Sequence, residues 1–386
     1  MNLVWGIVIG VIALTVLVVL HELGHALVAR RNGVRVEEFG IGFPPAAYKK
    51  NVKKSFLGKN VVYSVNWLPL GGFVKLQGEH DDDKKPGDYG AATFWQKTKI
   101  LLAGVAMNWL TAVILLTILA WFGLPQLVPH QFTVASDTHV IYNPVVLASI
   151  EKDLPAENAG LKSGDAVISV NGEKIETSAQ LSEVSAAHKG EMVRVTYKRD
   201  GTERVAHVAL RSANDDKRGY LGAGLSQERL TRSTWSAPIV GVGVTMQLTG
   251  ITLQGLGQVI GDGVSGLVMK LMPNDSAQKQ ANQKLSSASQ SVGGPLSIFG
   301  ILFPAAERAG VRYVVMMTAL ISLTLAVMNI LPIPALDGGR WFVTAVFRLL
   351  KKPLTKEREE KIHGTGFLAL LLLVVLVTIS DVVKLL

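Results

Sequence analysis

The 386-residue chain contains no cysteine. That removes disulfide scaffolds, thiolate metal sites and cysteine nucleophiles from consideration. Charge is scarce as well. Asp, Glu, Lys and Arg make up 18% of the residues, against about a quarter in an ordinary globular chain. Mean hydropathy is +0.32. Both values argue against a simple soluble chain and for membrane spans joined to a soluble part. The first segment lacks a basic leader and a small-residue cleavage site, so it reads as a retained span rather than a signal peptide.

Leu3 to Leu20 is almost wholly apolar, and the pattern continues to Ala29 if His21, Glu22 and His25 are set aside. Three further runs have the length and apolarity of spans, at about 100–122, 311–335 and 365–383. The net charge of +9 is unevenly spread. Between Arg30 and Lys99 there are 13 Lys/Arg against 7 Asp/Glu, and between Arg340 and Ile362 there are 7 against 3. Between Gly123 and Gly310 the two signs balance at 17 each. Two short basic loops and one long neutral region describe membrane topology rather than nucleic-acid binding: the basic loops are expected in the cytoplasm, with both termini and the central region outside. Ala237 to Met269 has one acid and many Gly, Thr and Gln residues, and is read as amphipathic or interfacial helix; parity allows zero or two further crossings here, and zero is favoured.

Between about 131 and 225, strand-like runs at 140–150, 166–170, 192–198 and 204–210 alternate with turns, among them Asn171–Gly172 and Asp200–Gly201. Leu181 to Ala187 is expected to be helical, Asn274 to Gln290 a flexible connector, and Glu79 to Asp88 a solvated charged loop. Val61, Tyr63, Val65 and Trp67 alternate with polar or small residues, a turn follows at 68–72, and Phe73 to Gln77 returns, so 60–78 reads as a β-hairpin.

The strongest chemical signal is H-E-L-G-H at 21–25. On a helix His21 and His25 share one face, so both imidazoles can ligate one Zn²⁺ with Glu22 beside it as general base. Three such polar groups buried unpaired in an apolar helix would cost several kcal/mol, roughly, without a compensating role. A catalytic zinc needs a third protein ligand. The six other histidines, His80, His130, His139, His188, His207 and His363, lie outside the expected spans. The best acid is Asp337, in N-I-L-P-I-P-A-L-D-G-G at 329–339, where Pro332 and Pro334 break the helix and Gly338–Gly339 let the backbone turn. His25 and His21 lie about 7 and 13 Å back from Arg30 along the first helix, near its expected cytoplasmic end. The third span runs inward, so Asp337 should arrive at the same side.

The H-E-L-G-H motif near the end of the first span, Asn329, Pro332, Pro334 and Leu336–Asp337–Gly338 together resemble the site-2 protease family of intramembrane zinc metalloproteases. Gly104 and Asn108 match the family's GxxxN, 70–75 (L-G-G-F-V-K) its hairpin, and Gly294–Pro295 a segment before the third span. Leu154 to Asp165, followed by Val170–Asn171–Gly172, resembles the PDZ modules of bacterial envelope proteases. The likeness covers essentially the whole chain, with one PDZ module. It implies a polytopic α-helical membrane protein whose four transmembrane helices form a metalloprotease core. The membrane halves would be 1–123 and 311–386, with a membrane-associated hairpin, an extracytoplasmic α+β PDZ domain at 131–225 and a linker with amphipathic helices at 226–310. It further implies Zn²⁺ on His21, His25 and Asp337, Glu22 as the catalytic base, and substrate contacts at Asn108, Gly71, Gly72, Asn329, Pro332 and Pro334. Expected partners are the lipid bilayer and single-span membrane proteins already cut by another protease, such as anti-sigma factors or signal-peptide remnants, in the bacterial cytoplasmic membrane. The PDZ module would either capture an extended peptide, with 145–150 as its open edge, or exclude bulky substrates.

Overall fold

The computed structural model describes residues 2–216, 218–271, 274–291 and 293–385. In chain order the elements are α1 (Asn2–Arg31), β1 (Val36–Ser55), β2 (Gly58–Leu76), α2 (Phe94–Phe122), β3 (Leu124–Pro125), β4 (His139–Tyr142) and β5 (Val145–Ile150). Then come α3 (Pro155–Asn158), β6 (Ala166–Val170), β7 (Glu173–Lys174), α4 (Ser178–Ala187), β8 (Met192–Arg199), β9 (Thr202–Ala209), β10 (Ala223–Ser226) and β11 (Arg229–Arg232). The chain closes with α5 (Ala237–Lys270), α6 (Asp275–Ser291), α7 (Pro295–Ser297), α8 (Phe303–Ala309), α9 (Val311–Ile330), α10 (Asp337–Leu349) and α11 (Lys356–Leu385). Two compact units result, one from Met1–Leu119 with Gly241–Leu386, the other from Ala120–Val240.

The Ala120–Val240 unit is an α+β module. Its main sheet has the order β10-β5-β6-β8-β9, with β7 paired to β6. Period-2 alternation puts Val193, Val195 and Tyr197 of β8 and Ala206 and Val208 of β9 inside, where Leu161, Leu181 and Val184 close over them. The two turns legible in the sequence form as such: Asn171–Gly172 and Asp200–Gly201 all take positive φ, as tight two-residue connections require. Two expectations fail here. The run 140–150 is not one strand, because Asn143–Pro144 divides it into β4 and β5 in different sheets. Nor is β5 an open edge: β10 covers it, pairing Ala223 with Ile150 and Ser226 with Val146. A second sheet, β3-β11-β4, is joined to the start of α5 through Asp137. The Asp137 carboxylate accepts from Ser236 Oγ (2.6 Å), from the Ser236 N–H (2.9 Å) and from the Thr234 N–H (2.8 Å).

In the other unit, five helices are long and apolar enough to cross a membrane: Leu3–Arg31, Phe94–Phe122, Ala237–Lys270, Val311–Ile330 and Lys356–Val383. The third of these contains the 237–269 stretch read as interfacial and has the length and composition of a span. Alongside α2, Gly241 lies against Thr117 and Val113, and the Trp109 Nε1–H donates to Thr249 Oγ1 at 3.2 Å. The connector expected at 274–290 is helical, and α6 folds back on α5: Lys284 pairs with Asp262 at 3.0 Å, and a Cβ on Gly266 would meet Leu285. Spacing of Ala281 and Leu285 gives α6 an apolar stripe for that contact.

β1 and β2 pair over three stretches. Tyr48–Val65 to Lys54–Lys59 is antiparallel around the tip, Glu38–Lys75 to Ile41–Gly72 is antiparallel at the base, and Glu38–Val62 to Ile41–Val65 rises together. Each long strand therefore bends, and 36–41 lies between 61–65 and 72–75. The expected hairpin at 60–78 does not close on itself: its two arms are separated by β1. Gly42 and Gly71, both at positive φ, stand where the strands bend. The outer row, 70–76, lies along α1: Thr15 Oγ1 donates to the Pro69 carbonyl at 2.7 Å, and Gly72 faces Val19.

The acidic loop 79–88 is not simply solvated. Asp81 pairs with the buried Lys97 of α2, and the Asp81 N–H donates to Glu359 of α11 at 2.8 Å. Arg340 of α10 pairs with Glu359 at 3.3 Å, donates to the Glu79 carbonyl and covers the Tyr89 ring at 4.8 Å. Ion pairs drawn from three helix ends account for a loop that composition alone marks as surface.

Candidate active site

The first helix presents His21, Glu22 and His25 over one turn, and the other two walls come from α2 and from the chain break between α9 and α10. His21 and His25 are each 7% exposed. Their Nε2 atoms lie 3.1 Å apart, and Asp337 Oδ2 sits 3.0 Å from the first and 3.2 Å from the second. Among the described residues these three form the one group of His, Cys, Asp or Glu side chains whose ligand atoms cluster, all within 4.8 Å.

A divalent cation fits this donor set. Asp337 Oδ2 is buried with only the two imidazole nitrogens beside it, and the three ligand atoms lie 3.0, 3.1 and 3.2 Å apart around one point. A cation at that point satisfies all three at once, and two imidazoles with one carboxylate are what Zn²⁺ takes in catalytic sites. The outer nitrogens are held as a metal site needs. His25 Nδ1–H donates to the Ile100 carbonyl at 2.7 Å, leaving the Nε2 lone pair inward. Asn108, 1% exposed, places its amide 3.3 Å from His21 Nδ1, and its Oδ1 is otherwise unpartnered. With Oδ1 turned to the ring, His21 Nδ1–H donates to it and both groups are satisfied. The Asn108 carbonyl in turn accepts from Ser322 of α9 at 2.8 Å.

Gly104 makes the close approach of α2 possible. A Cβ there would stand 2.7 Å from His21 Nε2 and closer still to His25 Nε2. Glu22 reaches the opposite side, where its carboxylate accepts from the Val74 N–H on the outer strand row at 3.2 Å. Gly71 and Gly72 are buried on that row. Asn329 joins His21, Glu22, Asn108 and Asp337 around a cavity of about 220 Å³. Pro332 is exposed, and Pro334 is half-buried against Gly366 of α11. All ten expected site residues therefore belong to one unit, on α1, β2, α2 and the 329–337 segment.

Sequence reasoning misses three contributors. The Ile100 carbonyl carries no side-chain signal. Arg340, three residues after Asp337, is visible only as a basic loop residue. His363 is expected outside the spans, but α11 starts at Lys356 and carries it to the 329–337 segment, where the Ala335 N–H donates to His363 Nδ1 at 3.1 Å.

Known proteins align in sequence with almost the whole chain. A protein of Clostridium perfringens, named as a candidate zinc metalloprotease, is 30% identical over 378 residues, covering 98% of both chains. Zinc metalloprotease RasP of Geobacillus kaustophilus is 27% identical over 460 aligned residues, again 98% of both. The regulator of sigma-W protease RasP of Bacillus subtilis is 25% identical over 450, covering 96% of both. Among solved structures, the PDZ domain of an SdrC-like protein from Listeria monocytogenes matches 22% of this chain and 92% of its own at 28% identity, with a TM-score of 0.20. The family model for peptidase family M50 matches residues 9–373. The chain thus belongs to peptidase family M50, the site-2 proteases, and is a multi-pass zinc metalloprotease.

Proposed function

We propose that this metalloprotease is an intramembrane endopeptidase that cuts the transmembrane segments of single-span proteins in the bacterial cytoplasmic membrane. The observation that carries the reading is the convergence of His21, His25 and Asp337 beside Glu22, on helices apolar enough to lie in a bilayer. In this reading His21, His25 and Asp337 hold Zn²⁺ and Glu22 is the base. Bound zinc polarises the scissile carbonyl and makes water more acidic. Glu22 takes up the proton of the attacking water on its carboxylate and passes it to the leaving amine. Its resting hydrogen bond to Val74 keeps that carboxylate at the site. Asn108 orients the His21 ring from behind.

A peptide bond in a membrane helix has its carbonyl engaged internally, so the substrate must be unwound before it is cut. The outer edge of 70–76, with Gly71 and Gly72, offers backbone groups to such an extended chain. Asn329 borders the cavity beside Glu22, and Pro332 and Pro334 are assigned to substrate contact from the helix break that follows it.

Four crossings, by α1, α2, α9 and α11, satisfy the charge asymmetry. The α5–α6 pair fits this count as a hairpin with both ends at the outer face. It starts beside Thr117, near the end of α2, and the segment that follows it begins with Gly294, whose N–H donates to Asp381 near the end of α11. On this topology 131–225 is extracytoplasmic and serves as a PDZ module that excludes substrates not yet shortened by another protease. A second reading, peptide capture, is favoured by the groove between α4 and β10, lined by Ser178, Ser182, Ala223 and Leu225. The name of the Bacillus subtilis relative favours membrane-tethered regulators such as anti-sigma factors as substrates, with signal-peptide remnants a further class.

The test is cleavage of a model transmembrane peptide by the purified protein in lipid vesicles, with products mapped by mass. A zinc-dependent cut inside the apolar segment is expected; cuts confined to the flanks would refute the intramembrane reading. A cysteine at Ser55 in this cysteine-free chain should be unreachable from outside intact cells.

A further inference from the structure

Asp337 reaches the two histidines only because the chain ahead of it takes an unusual path. Ala335 has a φ of +81°, a left-handed conformation that L residues with a side chain rarely adopt. Nothing in the sequence relieves it, since the glycines of the segment come later, at 338 and 339, where close packing against the Ile330 and Ile333 carbonyls demands them. A strained backbone persists only where the surroundings hold it.

What holds it lies on α11. The Ala335 N–H donates to His363 Nδ1 at 3.1 Å. One turn further on, Gly366 lies so close to Pro334 that a Cβ there would meet the Pro334 carbonyl carbon at 2.7 Å. An acceptor at 363 and a missing side chain at 366 thus grip consecutive residues of the segment. The bond to Ala335 also fixes the tautomer of the ring. With Nδ1 accepting, Nε2 carries the hydrogen, and Nε2 is buried with no hydrogen-bond partner. A buried polar atom left unmatched calls for an explanation, and the bond on the other side of the ring supplies one.

We infer that His363 is a positioning residue for the metal centre, fixing Ala335 in its left-handed conformation so that Asp337 is presented to His21 and His25. It touches neither substrate nor metal in this role. The inference rests on Asp337 being a zinc ligand, and it adds to that reading a fourth contributing helix, since α11 supplies none of the proposed ligands.

Variants of the purified protein test it, with zinc affinity from chelator competition and unfolding midpoint as readouts. His363→Leu keeps the branching of the ring and removes the acceptor; zinc affinity should fall at least about tenfold while the midpoint of the zinc-free protein stays near wild type. His363→Asn puts an amide oxygen where Nδ1 stood and should stay within about threefold of wild type. In the Ala335→Gly background, where positive φ carries no side-chain penalty, His363→Leu should lose less than about threefold, so the two substitutions are non-additive. Wild-type affinity in His363→Leu, equal losses in Asn and Leu, or the same loss in both backgrounds would each overturn the inference. If His363→Leu does not fold, His363→Phe, which also lacks the acceptor, takes its place in both backgrounds on the same criteria. Asp337→Ala separates the two readings. Retained zinc there removes Asp337 from the site, whereas lost zinc there with intact affinity in His363→Leu removes only the positioning role.

Discussion

The two units solve the problem of a polar interior differently. The core over the main sheet of 120–240 is almost all apolar, and the buried charge beside it, Asp165, pairs with Arg199 at 2.6 Å and closes a turn next to the sheet. The interior of the membrane half is polar where it matters: His21, His25, Asn108 and Ser322 are buried on spanning helices, and Lys97 and Glu359 near their ends. Water cannot satisfy such groups in a bilayer, so each must be matched by another protein group or by a metal. The core over the main sheet is held by packing, whereas the membrane half is held in its working form by a few directional contacts.

Substitutions can break that contrast. The largest effect is expected at the metal centre. Asp337→Ala should lose zinc and all cleavage, whereas Asp262→Ala, which breaks only the pair with Lys284, should keep both; zinc stoichiometry of the purified variants checks this. Gly104→Ala should come next, because the added methyl displaces both imidazoles at an unyielding helix contact. Zinc content should drop sharply while the module's amide exchange stays as in wild type. In the module, Leu147→Ala removes a fully buried side chain and should destabilise it by about 2–5 kcal/mol, with zinc retained, as local hydrogen exchange would show.

A smaller effect is expected at Asp165. Burial opposes its ionisation, but hydrogen bonds from Arg199 and from the Lys162 N–H outweigh this and hold its pKa below the ordinary carboxylate value. The group therefore stabilises the module above the unfolded pKa of about 4, and that contribution is lost as pH falls through the lower folded value. Asp165→Asn should lower the module's unfolding midpoint by a few degrees at neutral pH and flatten its dependence on acid. Smallest of all should be the effect of excising 144–226 on an already shortened substrate. Asn143 and Gln227 can be rejoined there, since the Asn143 N–H donates to Glu228 at 3.0 Å and β4 and β11 stay paired. Loss of activity on short substrates by a zinc-loaded deletion would contradict the gating role.

Much of this was legible in the chain. H-E-L-G-H announces a helical face with two imidazoles, and Pro332, Pro334 and Gly338 announce a break that aims Asp337. The turns at Asn171–Gly172 and Asp200–Gly201 carry their own chemistry in two residues. What could not be read depends on partners far away in sequence. The 79–88 loop looks solvated until Lys97, Arg340 and Glu359 are placed around it. Residues 60–78 look like a closed hairpin until 36–41 is found between the two arms. His363 looks like a loop residue until α11 is seen to begin at Lys356, and the packing of α5 on α2 shows only when Thr249 is found against Trp109.

The most direct measurement of the proposed site is zinc stoichiometry and cleavage on one purified variant, Glu22→Gln. The amide keeps the shape of the side chain and removes the base. Zinc at the wild-type ratio with no cleavage of the model transmembrane peptide is the result expected of a base that is not a ligand. Loss of the metal together with activity would make Glu22 a ligand, and undiminished cleavage would take it out of the chemistry altogether.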